Sequence, residues 1–163
     1  MSATLPDRPD ALTGPRHFAV VASRYNKDYV DGMAESALAE LAILAPGSNI
    51  EVLRVPGAFE IPLAVQKLAS GGKVHAVFAF GVIWKGETAH ADLLATSVTN
   101  ALLDISLRFE LPILNEVLVL ETDAQARVRC MPGGELNRGV EAARSAVRML
   151  TMLEEVEDDP DLK

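Results

Sequence analysis

Short apolar runs alternate along the chain with segments whose apolar residues recur at helical spacing. Residues 17–23 (HFAVVAS) are apolar and β-branched, which predicts a buried strand. Residues 28–44 place Val30, Met33, Ala34, Ala37, Leu38 and Leu41 on one helical face, and Pro46-Gly47 ends that helix. A second strand is predicted over 50–55, closed by Pro56-Gly57. The next helix, over 60–69, carries Pro62 in its first turn, where a missing N–H costs nothing. Residues 74–83 are the most apolar stretch and predict a central strand. A long helix over 88–109, a fourth strand over 112–120, a short helix over 123–129 and a final amphipathic helix over 137–156 complete the pattern.

Strands that are apolar throughout and separated by helices imply a parallel sheet covered on both faces. Right-handed crossovers make this a doubly wound α/β fold around four strands. In such sheets ligands sit beyond the carboxyl ends of the strands. Those ends are residues 23–26, 55–60, 81–90 and 121–122, and these loops hold most of the unusual side chains.

Composition narrows the picture. The 163 residues, 49% of them hydrophobic, suit one domain with a single core. Residues 1–16, with Pro6, Pro9 and Pro15, are expected to form a flexible N-terminal segment. Residues 17–156 form the domain, and 157–163 an acidic tail. A net charge of -8 argues against nucleic-acid partners and anionic membranes, which require a basic surface. The lone Cys130 excludes an intramolecular disulfide and a multi-cysteine zinc site, and points to a reducing compartment, the cytoplasm. No run has the character of a signal peptide or a transmembrane helix. His17, His75 and His90 are scattered, so no metal constellation is expected. Gly-rich dinucleotide and Walker loops are absent.

Within the loops, Gly86-Glu87-Thr88-Ala89-His90 follows the third strand and opens a helix. Thr88 can cap that helix, or its free amides can meet a phosphate. His90, placed one turn in, is either a proton shuttle or a polar surface residue. Glu60 can accept hydrogen bonds from ligand hydroxyls or simply favour the first turn of a helix. Tyr25 can stack on a planar ring or shield the sheet end. Either Arg127 or Arg129 can bind phosphate through its fork of donors, or both balance an acidic surface. These residues by themselves define a small α/β protein with a candidate phosphate-and-ring site.

Three motifs carry a resemblance: residues 55–62 (VPGAFEIP), 81–92 (GVIWKGETAHAD) and 137–143 (NRGVEAA), with the loop 23–26 (SRYN) beside them. Together they resemble the lumazine synthase family over nearly the whole chain. The resemblance implies a flavodoxin-like sandwich that assembles into pentamers, and in some members decamers or icosahedral shells, with active sites between neighbouring subunits. It implies small-molecule substrates and neither cofactor nor metal. The implied reaction joins a ribitylamino-pyrimidinedione to a four-carbon keto-phosphate. Carried over by position, Tyr25 and Asn26 lie at the pyrimidine, and Gly57, Ala58, Phe59 and Glu60 hold the ribityl chain and ring. Val82, Ile83 and Trp84 line the pocket, and Glu87 and Thr88 bind the keto-phosphate through backbone amides. His90 shuttles protons, Asn115 and Arg138 contact substrate, and Arg129, rather than Arg127, is the phosphate arginine. Trp84 stands where an aliphatic residue is usual and Ala91 where an aromatic is, while Lys85 replaces Arg and Arg138 replaces Lys. A weakly catalytic or non-catalytic flavin-binding, shell-forming paralogue is the alternative, and retention of both His90 and Arg129 argues against it.

Overall fold

β1 (His17–Ser23) and β3 (Ala76–Trp84) are buried along almost their whole length, which places them at the centre of a sheet. β2 (Asn49–Val55) and β4 (Ile113–Leu120) flank them in the order β2-β1-β3-β4, and every pairing is parallel. The computed structural model describes residues 4–160; the outer ends of the two expected terminal segments, residues 1–3 and 161–163, lie outside the described residues. Helices cover both faces, so the arrangement is the expected flavodoxin-like α/β sandwich.

One face packs Phe18, Val20 and Ala22 of β1 and Phe78 and Phe80 of β3 under α1 (Lys27–Leu44), α4 (Asp123–Cys130) and α5 (Arg138–Asp158). The other packs Ala19 and Val21 of β1 and Val77 and Ala79 of β3 under α2 (Ile61–Ser70) and α3 (His90–Phe109). The period of two along each strand divides these residues between the two cores. α1 and α5 approach so closely that a Cβ on Gly139 would overlap the Met33 carbonyl, and α1 lies as tight against the end of α4, where one on Gly32 would meet the Cys130 carbonyl. Asn137, the N-cap of α5, is buried beside this contact and accepts from the Val140 amide at 3.1 Å.

Three expectations need correction. Only β1 and β3 are apolar throughout. β2 and β4 carry Glu51, Arg54, Asn115 and Glu116, because they are edge strands, where polar and even inward-pointing charged side chains guard against stray pairing. α3 begins at His90, not Thr88. The Lys85 amide still donates to the Leu120 carbonyl at 2.9 Å, so the chain turns only over 86–89, and no side chain caps the helix. Glu60 ends a 3-10 turn over Ala58–Glu60, and α2 starts one residue later, with Pro62 in its first turn.

Residues 4–16, ahead of β1, form no helix or strand. Leu12 is nevertheless buried, and its amide donates to the Leu44 carbonyl at 2.8 Å. Arg8 and Arg144 both pair with the Glu40 carboxylate, at 2.8 and 2.7 Å, and hold it below the usual carboxylate range. Among the described residues no helix is long and apolar enough to cross a membrane, and no group of side chains could hold a metal ion.

Candidate active site

The loops after β1 and β2 are zipped together at the carboxyl end of the sheet. The Arg24 amide donates to the Val55 carbonyl at 2.9 Å, and the Tyr25 amide to the Pro56 carbonyl at 3.3 Å. Asn26 takes the left-handed conformation, φ 55°, which asparagine tolerates better than most residues. This turns its side chain inward, where Nδ2 donates to the Val82 carbonyl at 2.7 Å. The exposed Tyr25 ring lies over Gly57, where an added Cβ would come within 3.0 Å of the ring. Glu60 Oε2 accepts from the Gly57 amide at 2.9 Å and fixes the tight turn between them. Ala58 is buried beneath, against Gly81. Tyr25, Asn26, Gly57, Ala58, Glu60 and the Val82 backbone therefore form one platform. Phe59 stands outside it, 66% exposed.

The end of β3 divides differently from the sequence-based expectation. The Val82 and Ile83 side chains alternate to opposite faces and are buried in the two cores, so backbone is what they present at the sheet end. Trp84 emerges on the α1 side and meets the Tyr29 ring edge-on, with centroids 5.7 Å apart. The Tyr29 hydroxyl donates to the Asp123 carboxylate. That bond, joined by the one from Arg127, holds the Asp123 carboxyl below its usual range, and the same bond pushes the Tyr29 phenol up against the opposing charge of Arg127. Glu87, Thr88 and His90 lie exposed at the uncapped start of α3, where free amides and the helix dipole favour an anion.

A second group lies at the open edge of β4. A cavity of about 650 Å³ there is lined by Asn115, Glu116, Arg129, Arg138 and Glu141, among others, with Lys85 and Asp92 also contributing. Arg129 is half-buried, and one of its nitrogens donates to the Gln125 carbonyl of its own helix at 3.3 Å. Arg138 is only 3% exposed and pairs with Glu141 one turn along α5. Asn115 Nδ2 donates to Thr99 on α3 at 3.1 Å, while its Oδ1 accepts the Val117 amide. Arg127, the competing candidate, points away from the cavity to Asp123. Tyr25, Glu60 and His90 do not line the cavity that holds Arg129 and Arg138.

Sequence reasoning missed Glu116. It shares the inner face of β4 with Leu114, Leu118 and Leu120, opposite Phe80 in register, so a carboxyl interrupts an apolar row. That break in the period was the available signal. Burial pushes its carboxyl up to about 8; Arg138 opposes the shift and Glu141 adds to it. Burial likewise pushes the neighbouring Cys130 thiol up to about 12, so it is no nucleophile at neutral pH.

Fold and geometry define a flavodoxin-like α/β protein with a ring-sized platform at the sheet end and a cation-bearing recess at the sheet edge. The family described as 6,7-dimethyl-8-ribityllumazine synthase matches residues 15–154, and the chain belongs to it. A 6,7-dimethyl-8-ribityllumazine synthase from Polaromonas sp. is 37% identical over 149 residues, covering 90% of this chain and 94% of its own. Proteins of the same description from Burkholderia vietnamiensis and Burkholderia cenocepacia are each 41% identical over 144 residues, covering 86% of this chain and 82% and 81% of their own.

Proposed function

We propose that the protein condenses 5-amino-6-(D-ribitylamino)uracil with 3,4-dihydroxy-2-butanone 4-phosphate to give 6,7-dimethyl-8-ribityllumazine, releasing phosphate and water. The observation that carries this is the match to the synthase family over residues 15–154, together with relatives of the same description aligned along nearly their full length. The amine forms an imine with the ketone, phosphate leaves, the ring closes and water is lost. Tyr25 stacks on the pyrimidine, and the turn from Gly57 to Glu60 holds the ribityl chain. Arg129 and Arg138 receive the phosphate, together with the free amides at Glu87 and Thr88. His90 carries protons between steps. Holding an amine against a ketone contributes up to about 7–11 kcal/mol in favourable cases. A positioned proton shuttle adds about 10²–10⁴-fold.

The complete site forms between neighbouring subunits of a pentamer. Two observations support this reading: the platform residues and the two cavity arginines do not share one cavity within the chain. Phe59, Leu63, Leu93, Leu103 and Leu107 are also each more than half exposed around α2 and α3, as expected of a surface that another copy covers. Incubating the assembled protein with both substrates and following lumazine absorbance tests the activity. Absence of product from a folded oligomer would overturn it.

A further inference from the structure

Glu116 is a carboxyl that the proposed chemistry does not use. It lies on the core-facing side of an edge strand and lines the same cavity as Arg129 and the almost wholly buried Arg138. Two charged residues face it from α5, Arg138 and Glu141, and Arg129 and the Cys130 thiol approach from α4. From β3 only apolar side chains pack on this face. The remaining charged groups of the cavity are Lys85, Asp92 and Glu121, and none of the described histidines lines it. Cations and the other carboxylates of the lining are equal in number, so the recess is balanced while Glu116 is neutral and net negative once it ionises.

We propose that Glu116 is a positioning residue for the phosphate recess. As a neutral carboxylic acid it leaves Arg129 and Arg138 to the bound dianion; as a carboxylate it competes with that dianion for them. This rests on the reading that the recess receives the phosphate of the keto-phosphate. The physical basis is the buried guanidinium of Arg138. A second ionised carboxyl beside it, in addition to Glu141, places negative charge where an incoming dianion must sit, in surroundings that screen poorly. Burial, which favours the neutral acid, places this switch in the alkaline range, and the Cys130 thiol stays protonated through it.

The test is equilibrium binding of sulfate to the assembled protein. Sulfate is a tetrahedral dianion whose own charge is constant, so any pH dependence belongs to the protein. Wild-type affinity should fall roughly tenfold or more between about pH 6.5 and pH 9.5, the size expected for losing a charge-assisted contact. Glu116→Gln, uncharged throughout and close in shape, should bind as tightly as wild type at the acid end and stay flat. A flat wild-type profile, or the same slope in Glu116→Gln, overturns the role of Glu116 and leaves the recess as a phosphate subsite. Sulfate binding that survives Arg129→Ala unchanged, or no binding at any pH, overturns the subsite reading, and the role of Glu116 falls with it.

Discussion

Arg127 Nε lies 2.6 Å from the Asp123 carboxylate one turn back on α4, and Asp123 also accepts the Tyr29 hydroxyl. Arg129, two residues on, points the other way around the helix and lines the β4-edge cavity. Of the two, only Arg129 lines that cavity. Arg129→Ala should raise KM for the keto-phosphate about ten- to a hundredfold and leave KM for the pyrimidine nearly unchanged. Arg127→Ala should change either constant by no more than about twofold, because an exposed ion pair contributes little. Steady-state kinetics with each substrate varied in turn decides between them, and a keto-phosphate defect confined to Arg127→Ala would reverse the assignment.

His90 is exposed as the first residue of α3, with no side chain capping the turn it opens. Replacing it removes an imidazole without disturbing either core. His90→Ala should lower kcat by up to about a hundredfold, with residual activity from substrate positioning. An unchanged kcat in a folded variant would remove His90 from the proton path.

The two apolar central strands and the turns at Pro46-Gly47 and Pro56-Gly57 made the α/β layering legible from the pattern alone. Which face each β3 residue takes was not legible. A strand buried on both sides has no alternation to read, so Val82, Ile83 and Trp84 looked equivalent. Thr88 resembled a cap because a Gly-Glu-Thr turn and a helix start share a composition; only the continued pairing of Lys85 with Leu120 shows that the chain is still leaving the sheet. Asn26 reads as a loop residue in sequence. Its left-handed backbone and its bond to Val82 depend on a residue 56 positions away.

Glu116 also makes a stability prediction. Its folded value of about 8 lies above the ordinary 4.5, so the folded protein holds this proton more tightly than the unfolded chain does. The stabilisation is therefore full below the unfolded value and is lost as pH rises through about 8. Glu116→Gln should match wild type near pH 4.5 and exceed it at pH 8 by a few kcal/mol at most. Denaturant unfolding at the two pH values, at one fixed protein concentration, measures the difference. Equal stability at both would mean that the carboxyl is not held neutral by its surroundings.

The exposed leucines of α3 and the partial pockets lead to a prediction about assembly. Sedimentation velocity at micromolar concentration should show a pentamer or a larger closed assembly. A catalytically active monomer would contradict a site completed by a neighbour.

Asn137 links the stability of the fold to the recess. Its Oδ1 caps α5 at Val140, and its Nδ2 donates to Met131 O at 2.7 Å and to Ser36 Oγ at 3.0 Å, all with 1% of the residue exposed. The next residue is Arg138, so the first turn of α5 is also what aims the buried guanidinium at the cavity. Asn137→Ala removes the cap, worth about 1 kcal/mol. It also removes the bond to the Met131 carbonyl, worth about 0.5–1.5 kcal/mol, since that carbonyl still accepts the Gly134 amide at 3.0 Å. Ser36 keeps a partner, since its hydroxyl still donates to Gly32 O. The expected loss is therefore about 1.5–2.5 kcal/mol in unfolding free energy, with a raised KM for the keto-phosphate from a less firmly held Arg138. Asn137→Ser supplies a capping oxygen again but cannot span to Met131, so it should recover about 1 kcal/mol. Denaturant unfolding of the three proteins, read beside their keto-phosphate KM values, separates the cap from the bridge. If serine restored wild-type stability in full, the bonds from Nδ2 to Ser36 and Met131 would contribute nothing, and the cap alone would hold the start of α5.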